Sequence, residues 1–470
     1  MMPHTIAIIG GGFSGTILAL NLLRTGPSCR VVLIERDHGF GRGIAYSATN
    51  PHHLLNVSAG GLSAFSDQPM DFVDWLETQP CETGTAPQAG TFAPRRQFGA
   101  YIDHHLAAAL RDTGDRLALV QGNAVSVTRE QGRWALQFAT GQTVLADQVV
   151  IATGNPPPKP LRLANPGFQS SPAYRNNPWA ADATTGLSAA DPVLIIGTGL
   201  TMVDTVIDLL DAGHQGTIHG LSRHGLVPHR HVPMPPMPTE PPAPYPTTLV
   251  ALTRRLRQDA AAWVAQGLPW QVAIEQFRPH VQASWRLASR ADKSRFLRHM
   301  RSWWIPHRHR IAPAVADRID DARRRGQLVI TAGRIQSIRP QAGGLETAYI
   351  PSRGQGPVLL QAARVINCSG PGLDGDQGGD PLVRSMLDRG LVRQDDLRLG
   401  LEVTEDSALV GQNGQATPGL FALGPPTRGM FWEITAVPDI RLQAEQLAAT
   451  ITGAGQASAA QKTMSTSGLR

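Results

Sequence analysis

Cysteine is scarce. Cys29, Cys81 and Cys368 are the only three in 470 residues. Odd in number and far apart, they offer neither a disulfide framework nor a metal-binding spacing. Without a vicinal or CxxC pair, the chain lacks the dithiol that thiol–disulfide exchange requires. Lysine is nearly as rare: Lys159, Lys293 and Lys462 are the whole of it among 43 basic residues. The basic excess is therefore arginine, whose planar fork suits phosphate and carboxylate. No stretch approaches the unbroken run of about eighteen apolar residues that a membrane span needs. A GxSxG elbow is also missing, and with it an assembled serine-hydrolase signal. His229-x-His231 and His307-x-His309 sit among arginines whose charge repels a metal ion.

What is present describes a globular protein. Hydrophobic residues make up 41% and charged residues 17%, and the length asks for two or three packed units. The net charge of +6 raises the question of nucleic acid. However, the basic residues between Arg278 and Arg325 are interleaved with Trp285, Trp303 and Trp304 instead of forming one run. A partly solvated arginine-rich face, or a surface for a phosphorylated cofactor or anionic substrate, fits better than a nucleic-acid interface. The first apolar strand starts almost at residue 1, which points to a cytoplasmic protein without a signal peptide. A small-molecule substrate is the expected partner, with neither membrane nor nucleic acid, and a homo-oligomer is left open.

Along the chain, two strand–loop–helix units stand out. TIAIIG, a glycine loop, the helical ILALNLL and the strand RVVLIE form the first. PVLIIGTG, TMVDTVIDLLDAG and TIHGLSR form the second. A faint repeat accompanies them: RIQSIRP, LETAYI and RVINCSG (334–370) follow the order of AVSVTR, WALQFA and QVVIATG (124–154). Each set reads as a β-ribbon feeding a strand that ends in a small residue and glycine. Residues 227–246 carry nine prolines and read as an extended linker or lid. A tryptophan- and arginine-rich helical insert follows to about 325, and the last eighteen residues read as a frayed tail.

In the first unit, Gly10-x-Gly12-x-x-Gly15 follows a strand and opens a helix, with Glu35 twenty residues past the third glycine. Gly10 permits the tight turn, Gly12 admits a pyrophosphate to the backbone, and Gly15 lets helix and strand pack closely. Phosphates then lie at the positive helix N-terminus. Glu35 accepts hydrogen bonds from an adenosine ribose and disfavours a 2′-phosphate, so FAD or NAD fits this lobe better than NADP.

In the second unit, Gly197-x-Gly199 repeats the setting, with Met202 in the third glycine's place. The next strand ends Leu221-Ser222-Arg223-His224, with no carboxylate at the ribose position. Arg223 there suits the 2′-phosphate of NADPH. Two nucleotide lobes in one chain imply hydride relay from NADPH to a flavin. The fold class expected is α/β: two Rossmann-like lobes, one for FAD and one for NADPH, with β-ribbon insertions and the arginine–tryptophan helical insert.

GGGFSG, GRGIAY (41–46), LLNVSAGGLSAFSDQP (54–69), IGTGLTMVD and GPPTRGMFWEITAVPDIR (424–441) together resemble the FAD-NAD(P)-binding family of YdhS-like bacterial flavoproteins. More distantly, the chain is similar to class B flavin monooxygenases, whose GxGxSxxD is matched by Gly197, Gly199, Thr201 and Asp204. The resemblance implies an FAD domain split between residues 1–190 and 365–452, and an NADPH domain over 191–364. It implies that Asn56, ahead of Ser66-Asp67-Gln68-Pro69, contacts flavin and nicotinamide as the catalytic amide; a loop asparagine bonding its own backbone is the alternative. It also places Gly424 near the ribityl chain, and Thr435 and Ala436 with backbone N–H groups toward the flavin pyrimidine oxygen. Ser14, Gly43, Ala45 and Glu433 in the same stretches, and Thr153 and Gly154 after QVVI, complete the expected cofactor contacts. Phe431 and Trp432 either wall the flavin or are core. The monooxygenase fingerprint FxGxxxHxxx(W/P) survives only as Phe168, Ser170, Tyr174 and Pro178. Three readings stay open: an NADPH-dependent flavin monooxygenase acting on a small polar substrate, a flavin reductase or dehydrogenase without oxygenation, and a flavin-binding sensor or assembly module.

Overall fold

The computed structural model describes residues 4–453 apart from 27, 38, 81–85, 236–243, 355 and 373–379. Cys81, the middle of the proline-rich segment and the expected tail lie outside the described residues. The chain forms two compact units, one of 1–49, 58–156 and 373–470, the other of 50–57 and 157–372. The divisions at 156/157 and 372/373 differ from those expected near 190 and 364. The reason is pairing: the two-residue strand Tyr174–Arg175 adds in parallel to Arg364–Asn367, which itself pairs with Val193–Ile196. Both flanking segments therefore belong to the second sheet.

The first unit is built on a six-stranded sheet. Its order is Ala408–Val410, Ala416–Ala422, Gln148–Ile151, His4–Ile9, Cys29–Glu35 and Leu117–Gln121, parallel except at the first pair. Strands flanked on both faces need an unbroken apolar run, and HTIAII supplies one, buried from Thr5 to Ile9. The helix Phe13–Thr25 is buried over its first eleven residues, because it packs on this sheet and against the helix Val437–Thr452. Its few polar groups are satisfied internally: Thr16 Oγ1 donates to Gly11 O (3.1 Å) and Asn21 Nδ2 to Ile17 O (2.9 Å). Each fully buried leucine or isoleucine here contributes about 1.5–3 kcal/mol of hydrophobic stabilisation.

The second unit holds a seven-stranded sheet in the order Val358–Ala362, Gly344–Pro351, Leu328–Gln341, Ile218–Ser222, Val193–Ile196, Arg364–Asn367 and Tyr174–Arg175. The last five are parallel and the first three form an antiparallel ribbon. The ribbon Ala124–Glu130, Arg133–Phe138 and Thr143–Ala146 of the first unit has the same form and likewise runs into a parallel strand beside a glycine-loop strand. Both lobes of the expected α/β fold are thus present. Short helices between Leu249 and Arg324 make up the insert. The proline-rich stretch is no free linker at its start, because Arg230 bridges Ile311, with His231 N donating to Ile311 O and Ile311 N to His229 O (both 2.9 Å). No described helix is long and apolar enough to cross a membrane.

Candidate functional site

The two glycine loops have one backbone design. Gly10 N donates to Ile34 O (2.9 Å) and Gly197 N to Leu221 O (2.8 Å). Gly10 has φ +113° and Gly197 φ +101°. A Cβ on Gly10 would lie 2.3 Å from Ala152 O, and one on Gly197 would lie 2.4 Å from Cys368 O. Only glycine fits either position, on both conformational and steric grounds. Gly12 and Gly199 then cap the helices in extended conformation, with φ/ψ of −72°/−167° and −86°/−161°. Neither helix start receives a side-chain cap. Their first N–H groups are left for an anion, as a pyrophosphate cradle requires.

The loops part at the third position. A Cβ on Gly15 would stand 1.9 Å from Gly10 O, so that helix sits directly on its strand. Met202 is fully buried at the equivalent place.

Around the first loop the expected residues assemble. Glu35 ends its strand with Oε2 accepting from Gly11 N (2.8 Å) and Oε1 from the N–H groups of Arg36 (2.9 Å) and Asp37 (3.1 Å). Its carboxylate overlooks a cleft of about 80 Å³ lined by Ile9, Gly10, Ile34, Arg36, Gly122, Asn123, Ala124, Thr153, Asp380 and Leu382. Asp380 is an addition that motif reading missed; it faces the Arg36 guanidinium at 4.0 Å and caps its own helix by accepting from Leu382 N (3.0 Å). Gly43 crosses Gly12 so closely that a Cβ on either would meet the other's Cα at 3.2 Å. Ala45 and Thr153 are exposed, and Gly154 has φ +73° with open space at its Cβ position.

The C-terminal stretch docks on this same loop. A Cβ on Gly424 would lie 2.7 Å from Ser14 Oγ. Gln443 Oε1 accepts from Gly424 N (2.9 Å), while its Nε2 donates to Ser407 Oγ and Thr427 Oγ1 (both 3.1 Å). Glu433 is buried with a positive φ of +65°. That kink delivers Thr435 and Ala436 to the N-terminus of Val437–Thr452, where Ala436 is the N-cap. Phe431 and Trp432 are both buried.

In the second unit, the residue equivalent to Glu35 is Ser222. Gly10 N bonds the residue before Glu35, and Gly197 N bonds the residue before Ser222. Ser222 Oγ bonds Thr198 Oγ1 (2.8 Å) and accepts from Gly225 N (3.0 Å), leaving no carboxylate there. Arg223 follows, exposed, with NH2 donating to Ser302 Oγ (3.3 Å) and its carbonyl accepting from Ser352 Oγ (3.1 Å). Thr201 lies in the first turn of the helix, its carbonyl accepting from Thr205 Oγ1 (2.9 Å).

Asn56 belongs to this second unit. Its stretch is pinned to the helix Leu200–Asp211: His53 Nε2 pairs with Asp208 (2.9 Å), and Asn50 Nδ2 donates to Asp208 (2.9 Å) and Asp211 (2.8 Å). The Asn56 carbonyl is 2.8 Å from His231 Nε2. Burial, then the nearby Arg310 and Arg278 charges, hold His231 below the ordinary imidazole range against the pull of Asn56 O and Glu275. Phe168 and Tyr174 form an edge-to-face pair at 5.0 Å within the core that includes Ile196 and Val365. Neither thiol that the structure describes is a redox group: Cys29 Sγ donates to Gly26 O (3.0 Å), and burial pushes the Cys368 thiol up to about 12.

Comparison with known proteins agrees with this geometry. Residues 7–156 match the FAD-NAD(P)-binding family. No curated protein sequence is detectably similar to the chain. Among solved structures, the ornithine N-hydroxylase of Kutzneria sp. 744 is similar at TM-score 0.65 and 14% identity, covering 96% of this chain and 99% of that one. The L-lysine 6-monooxygenase of Pseudomonas syringae follows at TM-score 0.59 and 14% identity, covering 95% and 98%. The bacillithiol disulfide reductase of Bacillus cereus has TM-score 0.55 and 13% identity, covering 96% and 99%. The chain has the two-lobe fold that these structures share, and its residues 7–156 match the FAD-NAD(P)-binding family.

Proposed function

We propose that the protein is an NADPH-dependent FAD oxidoreductase that works as a monooxygenase on a small polar substrate. The observation that carries this is the pair of uncapped glycine loops with opposite strand ends, Glu35 in one lobe and Ser222-Arg223 in the other. The first unit is the FAD domain and the second the NADPH domain. When bound, FAD would supply the redox chemistry that links NADPH to oxygen.

The chain's own residues supply the binding and orientation. Gly10, Gly12, Ser14 and Gly15 cradle the FAD pyrophosphate, and Glu35 accepts from the adenosine ribose. Gly43, Ala45, Thr153 and Gly154 border that cofactor, and Gly424 and Glu433 shape the turn against its ribityl side. The N–H groups of Thr435 and Ala436, at a helix N-terminus, stabilise negative charge on the pyrimidine oxygen. Gly197, Gly199 and Thr201 hold the NADPH pyrophosphate, and Arg223 its 2′-phosphate. Asn56 presents its amide to the nicotinamide.

Anaerobic titration with NADPH tests the first half: the yellow flavin colour is bleached. Admitting oxygen tests the second. Oxygen transfer to substrate, without stoichiometric hydrogen peroxide, is expected, and prompt reoxidation releasing all the oxygen as peroxide refutes it. That result favours a reductase without oxygenation, a reading supported by Ser170 and the core residue Tyr174 standing where monooxygenases carry the glycine and histidine of their fingerprint. No bleaching by NADPH favours a binding module.

A further inference from the structure

The helical insert contains an arginine whose charge is only partly answered. Arg310 is 3% exposed. Its NH2 donates to Glu275, yet Nε and NH1, both shut from solvent, have no hydrogen-bond partner among the described residues. Glu275 is also shared, because Arg278 NH1 approaches its other oxygen at 3.7 Å. One carboxylate thus serves two guanidinium groups. A buried guanidinium with donors left over is destabilising unless an acceptor reaches it. The other charges that reach it besides Glu275, those of Arg308 and Arg278, are cationic as well. His229 and His231 both feel the Arg310 charge, and His309 is pushed down to about 3 by burial and then by Arg308, Arg278, Arg301 and Arg310. Trp270 lies beside them, its ring 5.2 Å from His229 and 5.0 Å from His307.

We propose that Arg310 anchors a closed binding site for the carboxylate of the small substrate, so that the substrate class is an organic acid anion. The site touches the reaction residue through one contact, His231 Nε2 on the Asn56 carbonyl, and to that extent it rests on the proposed role of Asn56. Two donors on Arg310 remain for the ligand carboxylate after Glu275 has taken NH2, and charge-assisted hydrogen bonds of this kind are the strong ones. Access requires the bridge of Arg230 to Ile311 to part. That bridge joins a proline-rich strand to the end of the helix Arg301–Arg308, which already carries Pro306 and follows a π-helical turn at Phe296–Met300.

The test uses the full chain with its flavin and reads binding, not turnover. Acetate, succinate and inorganic phosphate are titrated at constant ionic strength against chloride, followed by calorimetry and tryptophan fluorescence. Saturable binding of the carboxylates is expected, with quenching assigned to Trp270 by its loss in Trp270→Phe. Arg310→Gln weakens binding about tenfold or more. Glu275→Gln removes the competing negative charge beside Arg310 and strengthens it. Should Arg310→Gln fail to fold, Glu275→Gln still decides: weaker binding in that variant overturns the proposal. Binding of phosphate but not carboxylates overturns the substrate class, and no saturable binding overturns the site. NADPH bleaching of the flavin, measured on the same sample, reports separately on the redox reading.

Discussion

Arg223→Ala probes the division of labour between the two lobes. The Arg223 side chain is exposed and held in the structure by a hydrogen bond of 3.3 Å to Ser302. A hydrogen bond between charged partners contributes about 1.5–3 kcal/mol. Solvent access brings an exposed arginine down to about 1 kcal/mol. At about 1.4 kcal/mol per decade, its removal raises the KM for NADPH about fivefold and leaves NADH unaffected. Stopped-flow flavin reduction with each nucleotide at low salt measures this, and added salt shrinks the wild-type preference, since an exposed pair is screened. The reciprocal change needs two substitutions. Gly11 has no room for a Cβ, which would lie 2.8 Å from Glu35 Cβ, so a glutamate at position 222 requires glycine at 198. Thr198→Gly with Ser222→Glu therefore moves selectivity toward NADH, the new carboxylate accepting the ribose hydroxyls and repelling the 2′-phosphate. If Arg223→Ala keeps the NADPH-to-NADH ratio of the wild type, the assignment of the second lobe fails.

Three further outcomes are expected. Gly15→Ala puts a Cβ 1.9 Å from Gly10 O, so helix and strand must separate; a cost of about 3 kcal/mol or more and flavin loss on dialysis follow. Full flavin retention with an unchanged melting temperature contradicts the close-packing role. Burial and neighbouring arginines hold folded His309 at about 3 against an ordinary 6.5. The unfolded chain therefore binds this proton first as pH drops: the stability is whole above about pH 6.5 and is lost progressively toward pH 3. His309→Asn flattens the fall in denaturation midpoint between pH 7 and 5, and parallel slopes for the two proteins refute that account. Finally, Cys29→Ala with Cys368→Ser leaves the rate of flavin reduction by NADPH unchanged, because neither thiol is placed for exchange; loss of reduction reinstates thiol chemistry.

Why some of this was legible in sequence and some was not follows from the range of the interactions. The glycine loops announce themselves because their constraint is local and steric: at Gly10, Gly15 and Gly197 a Cβ would meet a carbonyl oxygen at 1.9–2.4 Å. Glu35 is legible because helix length and strand register set its distance from the loop. The same arithmetic pointed at Arg223 as the partner of the second lobe, whereas hydrogen-bond register shows that Ser222 holds the Glu35 position and Arg223 lies one residue beyond. Spacing alone cannot see a one-residue offset. The unit boundaries escaped for a related reason, since a two-residue strand at Tyr174–Arg175 leaves no periodicity yet carries its whole segment into the second sheet. Hardest of all was the placement of Asn56. Nothing in LLNVSAGG says that it is fastened by His53 and Asn50 to the helix of the second loop, more than 150 residues away. The histidine–arginine segments at 229–231 and 308–310 read only as reasons against a metal. Their meeting across the Arg230–Ile311 bridge turns a repulsive composition into a local excess of donors around Arg310. Residues that repel a cation are those that receive an anion, so the feature that argued against a metal site is the one that argues for the substrate's carboxylate.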